Sequence, residues 1–264
     1  MRWYRYRGLP KNSPREFLDN GRQPSTKSVV VCAGDSLTQG QISGDYVALL
    51  RRKFSGEDYE FINAGINGDL GYNLLQRLAP ILACRPDTVV LLVGTNDINA
   101  TLSPDTAATY RKNKHIPVTP TPDWSAGNIA QIFEKLAAAD VKNIAILSIP
   151  MLGENLDSEL NSRVVEYNQK LRDLAAKYHV EYLPLHESLL KALPAAENPP
   201  VYRGSMKPIL LAAFKKIVLR QSLNTISKGQ RLHFLTDHIH LNERGAEIVG
   251  DLIERYLRDL SPNN

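Results

Sequence analysis

A serine that follows a run of valines, and an aspartate three residues before a histidine near the other end of the chain, are residue types that could do chemistry together. Ser36 stands in Val29-Val30-Val31-Cys32-Ala33-Gly34-Asp35-Ser36-Leu37-Thr38-Gln39-Gly40. A serine hydroxyl is a weak nucleophile until a base takes its proton and a third group orients that base. Six histidines compete to be the base. His115 lies in a proline-rich stretch, His179 ends a helical pattern and His186 opens a short one. His233, His238 and His240 cluster between Leu232 and Asn242. Asp237 and His240 stand three apart, a spacing that in a helical turn puts both side chains on one face within hydrogen-bonding reach. The competing reading is a capping turn before a helix, with a solvated histidine.

Acyl transfer also needs donors for the developing oxyanion. Two loops offer them. In Asn63-Ala64-Gly65-Ile66-Asn67-Gly68-Asp69 a glycine lets a backbone N–H come close to a ligand, and in Gly94-Thr95-Asn96-Asp97 the Asn96 amide is available. Gly, Asn and Asp are also ordinary turn residues.

These groups need a scaffold that brings chain positions far apart into one crevice. Val29 to Val31, bounded by Lys27-Ser28 and Gly34, read as a short buried strand. That puts the Ser36 hydroxyl at the carboxyl end of a strand, where open α/β sheets keep their reactive groups. Further strands are predicted at 59–63, 88–93, 144–149 and 180–183. Helical stripes run through Tyr46 to Phe54, Leu74 to Leu82, Ile129 to Leu136 and Leu160 to Tyr178. A last helix starts after Asn242, a good N-cap. Five strands alternating with helices predict βα units and a mostly parallel sheet covered on both faces.

Residues 1–27 read as a basic arm and 28–264 as one domain interrupted by insertions at about 101–124 and 194–235. The first insertion is polar and proline-rich. The second holds an amphipathic helix from about 208 to 226, expected to lay its apolar stripe on the domain and turn Lys215, Lys216 and Arg220 outward.

A chain of 264 residues with 43% hydrophobic and 23% charged residues can bury a sizeable core. The formal charge of +4 is too mild to imply nucleic acid. It is unevenly spread: the arm carries Arg2, Arg5, Arg7, Lys11, Arg15 and Arg22 against Glu16 and Asp19, and Arg203 to Arg231 contains no acid. Two cysteines, Cys32 and Cys84, make no disulfide framework. No apolar run follows the first arginines and none is long enough to span a bilayer, so the expected location is cytoplasmic.

Together the blocks resemble the SGNH or GDSL hydrolases. Gly34-Asp35-Ser36-Leu37 matches the family's first block and Gly68 its second; Gly94-Thr95-Asn96-Asp97 resembles the third and Asp237-His238-Ile239-His240 the last. They fall in the family's order from Gly34 to about Gly245. The resemblance implies a flavodoxin-like three-layer α/β/α sandwich with a central, mostly parallel five-stranded sheet. It also implies ester hydrolysis with no metal and no cofactor. By that resemblance Ser36 is the nucleophile, His240 the base and Asp237 its orienter. The backbone N–H groups of Ser36 and Gly68 and the side chain of Asn96 form the oxyanion hole. The arm and the two insertions lie outside the shared motifs, so specificity does not carry over. The GxSxG elbow of α/β-hydrolases is absent.

The leading expectation is a serine esterase acting on a small-molecule ester, lipid-like or amphiphilic if the 194–235 insertion is a lid. Removal of acetyl groups from a glycan uses the same chemistry. From another class comes a non-catalytic module docking to a membrane surface through the basic arm and 203–231. That reading leaves Ser36, Asn96, Asp237 and His240 without a joint purpose. A nucleotide-binding protein lacks support: no glycine fingerprint follows the first strand, and Asp35 would repel phosphate.

Overall fold

The continuous apolar runs become strands and the amphipathic stretches become the helices that cover them, in a computed structural model that describes residues 9–21, 28–195 and 198–260. In chain order, α1 (Pro14–Asn20) precedes β1 (Ser28–Gly34), α2 (Ser36–Gln39) and α3 (Tyr46–Lys53). Next, β2 (Tyr59–Gly65) leads to α4 (Gly71–Gln76) and α5 (Leu78–Ala83). From β3 (Thr88–Leu92) the chain runs through α6 (Thr95–Asn99), α7 (Pro104–Lys114) and α8 (Pro122–Ala138). Then come β4 (Asn143–Leu147), α9 (Glu159–Tyr178), β5 (Glu181–Leu183) and α10 (Leu185–Ala192). Last are α11 (Lys207–Ile217), α12 (Leu223–Gly229) and α13 (Glu243–Asp259).

All five strands are parallel, in the order β2-β1-β3-β4-β5. Successive side chains on a strand point to opposite faces, so the sheet feeds two cores. Val29, Val31 and Ala33 of β1 and Val89 and Leu91 of β3 pack with Ile129, Phe133, Val164 and Leu171 from α8 and α9. Val30, Cys32, Val90 and Leu92 pack on the other side with Val47, Leu50, Val249 and Ile253 from α3 and α13. The result is the three-layer α/β/α sandwich the sequence predicts. Cys32 and Cys84 are free and buried, and burial pushes their thiols up to about 12 and about 11. Among the described residues no helix is long and apolar enough to cross a membrane.

Three segments differ from the sequence expectation. The helix expected over 74–82 is split at Arg77 into α4 and α5. Pro80 has no N–H to give the Gln76 carbonyl, and its ring would crowd that oxygen. Residues 101–124 hold α7 and the start of α8 rather than a bare loop. Ser103-Pro104 and Thr121-Pro122 act as N-cap and first helical residue, with each hydroxyl accepting an N–H of the first turn. The helix expected over 208–226 ends at Ile217 and restarts as α12, because Arg220 takes a φ of 53° and Ser222 caps a new helix. Its orientation is also reversed: Leu210, Leu211, Phe214 and Ile217 face outward, whereas Ala212 is buried and Lys216 reaches the Gly40 and Ser43 carbonyls.

Within 9–21, Asn12 gives its side-chain amide to the Phe61 carbonyl (3.1 Å) and its own carbonyl accepts the Asn63 N–H (2.9 Å). This covers part of the open edge of β2. Arg2, Arg5, Arg7 and Arg22, and with them most of the expected membrane contact through the arm, lie outside the described residues.

One carboxylate ties the last loop to the body. The loop after β4 is held by α9, whose Asn168 bonds both the N–H and the carbonyl of Ile149 and whose Asn161 bonds Leu152 and Gly153. From that loop Glu154 accepts the N–H groups of His233, Phe234 and Leu235 at 2.7, 2.7 and 2.9 Å. Replacing Glu154 by alanine orphans three backbone donors in a buried place. Urea unfolding of Glu154→Ala is expected to show a stability loss of about 3 kcal/mol, and a loss below ~0.5 kcal/mol would mean that the loop holds itself.

Candidate active site

The loops carrying Ser36, Gly68 and Asn96 leave neighbouring strands at one level of the sheet, since Gly34 of β1 is paired with both Gly65 of β2 and Leu92 of β3. From β1 the chain moves toward one edge and from β3 toward the other. The crevice between them is the topological switch point, where open α/β sheets bind ligands. Ser36 opens α2, and the Asp35 carboxylate caps that turn by accepting the Leu37 N–H at 2.9 Å.

Asp237 and His240 sit on a bent loop ahead of α13, not on the helical turn that their spacing suggests. His238 between them has a φ of 78°. Asp237 Oδ1 accepts the N–H groups of Ile239 (3.2 Å) and His240 (3.0 Å), which closes the bend and brings the two side chains together. His240 Nδ1 lies 3.0 and 2.9 Å from the two Asp237 oxygens, and its Nε2 lies 3.0 Å from Ser36 Oγ. With Nδ1–H donated to the carboxylate, Nε2 turns a lone pair to the serine hydroxyl. Burial pushes the Asp237 carboxyl up, but His240 and the two N–H groups outweigh it and hold the group below its ordinary value.

The other histidines have different surroundings. His115 and His179 end α7 and α9 in left-handed conformation. His186 is buried in α10, and among the described residues neither ring nitrogen has a hydrogen-bond partner. His233 meets the Phe234 ring edge-on, and His238 stacks on Tyr202 at 5.6 Å between centroids.

Gly68 and Asn96 line the same cavity as Ser36 and His240, a space of about 480 Å³. Gly68 has a φ of 72°, and a Cβ there would come within 2.8 Å of the Lys114 side chain, so only glycine keeps this backbone open. Asn96 gives its amide hydrogens to the Asp69 carbonyl (3.0 Å) and Asp35 Oδ2 (3.2 Å). Its Oδ1 accepts the Tyr110 hydroxyl at 2.8 Å.

Several residues at the site carry no sequence signal. Tyr110 accepts from Asn99 Nδ2 (3.0 Å), whose Oδ1 accepts from Tyr202 (3.0 Å), so the first insertion and the 199–206 strap both bear on the Asn96 amide. Lys114, the last residue of α7, bonds the Asn67 carbonyl and pairs with Asp69 at 2.9 Å. Arg77, at the break between α4 and α5, holds the other Asp69 oxygen at 2.7 Å and the Gly34 carbonyl at 2.8 Å. The glycine loop is thus clamped from two sides.

A model of the GDSL-like lipase/acylhydrolase family matches residues 32–248. No curated protein is similar enough in sequence to be matched. Solved structures share the fold. The acetyl xylan esterase AlAXEase is 21% identical with a TM-score of 0.60, over 87% of this chain and 99% of its own. LAE5, an alpha/beta hydrolase enzyme from the metagenome of Lake Arreo, Spain, is 16% identical with a TM-score of 0.58, over 87% and 94%. The acetylxylan esterase Axe2 of Geobacillus stearothermophilus is 16% identical with a TM-score of 0.59, over 87% and 94%. Catalytic mutants of Axe2 replace a serine, an aspartate and a histidine.

Complete burial pushes the Asp35 carboxyl from 3.8 up to about 7. A carboxyl whose folded pKa is raised stabilises the fold fully below its unfolded pKa and loses that contribution as pH rises through the folded value. The melting temperature is therefore expected to fall as pH rises from about 4 to about 7. Asp35→Asn keeps a capping oxygen and removes the titration, so its curve over that range is expected to be flatter. Parallel wild-type and variant curves would show that Asp35 stays ionised.

Proposed function

Because the chain belongs to the GDSL-like lipase/acylhydrolase family, we propose that it cleaves carboxylic esters through an acyl-enzyme on Ser36. The observation that carries this reading is the relay from Ser36 Oγ to His240 Nε2 (3.0 Å) and from Nδ1 to Asp237 (2.9 Å) at the floor of a cavity. Ser36 Oγ attacks the ester carbonyl carbon while His240 Nε2 takes its proton. Asp237 steadies the imidazolium and keeps its ring in register. The carbonyl oxygen becomes an oxyanion, received by the N–H groups of Ser36 and Gly68 and by Asn96 Nδ2. For the last of these, the longer contact to Asp35, at 3.2 Å, is the one that yields. His240 then protonates the departing alkoxide oxygen. A water deprotonated by His240 attacks the acyl-enzyme, and collapse of the second intermediate returns the proton to Ser36.

Ile42, Met206, Ile209 and Ile239 give the cavity an apolar part of its lining, which supports an ester with an apolar acyl chain, an amphiphile in particular. Acetyl removal from a glycan is the second reading. It is favoured by two acetylxylan esterases that share the fold, and by Asn67, Asp105, Thr109 and Asn113 in the same cavity lining. Initial rates on nitrophenyl acetate, butyrate and octanoate, set beside acetyl release from acetylated xylan, separate the two. Octanoate the fastest supports the amphiphile reading; acetate the fastest, with acetyl release from xylan, replaces it.

Ser36→Ala and His240→Ala are each expected to lose on the order of 10³-fold or more in kcat, and His238→Ala only a few-fold. A fluorophosphonate is expected to label the wild type at Ser36 and not the Ser36→Ala protein. Near-normal turnover by Ser36→Ala would overturn the mechanism.

Asn96→Ala is expected to cost roughly 10²-fold in kcat with KM little changed. Tyr110→Phe leaves Asn96 in place but frees its amide to swing, at a cost of roughly fivefold in kcat, about one hydrogen bond. An effect of Tyr110→Phe on KM alone would make the hydroxyl a substrate contact instead.

A further inference from the structure

Helix α11 wears its apolar side outward. Met206, Leu210, Phe214, Ile217 and Val218 are 59%, 64%, 51%, 64% and 60% exposed, whereas Ala212 on the opposite side is 1% exposed. With Leu211 these side chains fall on one side of the helix at about 100° per residue. Single exposed apolar residues are ordinary, but a contiguous set this large on a soluble surface marks an interaction site. The segment that carries it is basic in sequence. From Arg203 to Arg231 there are seven Lys and Arg residues and no Asp or Glu. Lys207 lies within the apolar side and Arg220 just beyond its end, both exposed, where long side chains can reach past the apolar surface.

We propose that α11 docks the protein on an anionic lipid surface, with its apolar side chains in the acyl boundary and the surrounding cations against the headgroups. An interfacial helix is recognised by this combination of an apolar face and attendant Lys and Arg. Among the described residues no helix can cross a membrane, so the contact is with the surface. A second copy of the chain is the poorer occupant. Two such faces pressed together about a two-fold axis would set basic segments against each other with no acid from 203 to 231 to offset them. The placement also has a use. Met206 at the start of the helix and Ile209 in its first turn line the cavity that holds Ser36, so a docked α11 holds the cavity mouth at the interface. Docking does not depend on which ester is cleaved.

The test uses the full-length Ser36→Ala protein, so that binding is read apart from catalysis. It is floated with vesicles of phosphatidylcholine alone or mixed with an equal part of phosphatidylglycerol. Binding is expected on the mixed vesicles, weakly or not at all on the neutral ones, and reduced in 1 M salt, where screening acts within about 3 Å. The double substitution Leu210→Ser and Phe214→Ser is expected to bring binding to background with the melting temperature unchanged, since both residues are exposed. Lys207→Gln and Arg220→Gln are each expected to weaken it roughly fivefold. Absence of binding to the anionic vesicles, or binding untouched by the Leu210 and Phe214 pair, overturns the proposal. So does a dimer in light scattering that the same pair converts to monomer, which assigns the face to a second copy. Failure of Ser36 as nucleophile would show in turnover and leave the vesicle result as it stands.

Discussion

The level at which three parallel strands end is the constraint on which the site rests. Gly34 is the common partner of Gly65 and Leu92, so β1, β2 and β3 release their chains at one height. Ser36, Gly68 and Asn96 then follow within a few residues. A slip of one position would move every side chain on a strand to the opposite face, exchanging Val29 and Val31 for Val30 and Cys32 between the two cores. Both cores are filled with apolar side chains, each worth about 1.5–3 kcal/mol when fully buried, which makes such slips costly. The hydroxyl, the glycine and the amide inherit their precision from hydrophobic packing that touches none of them.

The crevice collects negative charge and disposes of it in different ways. Asp35, Asp69, Asp97 and Asp237 are all buried. Asp69 is matched by Arg77 and Lys114. Asp237 is held by His240 and two backbone N–H groups. Among the described residues Asp35 and Asp97 have no cationic partner of that kind, and burial pushes their carboxyls up to about 7 and about 6. A raised Asp35 carboxyl suits the proposed mechanism, in which a full negative charge beside Asn96 would oppose an oxyanion forming on the same amide.

The two insertions do unlike work. The first closes on the site: Tyr110 and Lys114 of α7 fasten the Asn96 amide and the Gly68 loop. The second ends by turning an apolar helix face to the outside, forgoing part of the burial energy of each large side chain left in water. Residues at the mouth of one cavity come from both, Thr106 and Thr109 from the first and Met206 and Ile209 from the second.

The sheet and the residue types of the candidate triad were legible in the chain's own order of residues. Apolar runs such as Thr88 to Leu92 have no amphipathic choice and must be buried strands, and the blocks around Ser36, Asn96 and His240 are local patterns. That order also marked Asp237 and His240 as a pair, though the reach between them comes from a bend at His238 rather than a helical turn. Only the tertiary structure decided which partners those residues keep. Glu154 meets the N–H groups of His233 to Leu235 about 80 positions away, and Tyr110 meets Asn96 across a helix connection. Such pairs have no spacing rule to betray them. The orientation of α11 is the clearest case. Periodicity shows that its apolar residues share a side, but which side is covered depends on what packs against it, and here Leu223 and Ile226 of α12 pack on Ala212 while the Gly40 and Ser43 carbonyls take Lys216.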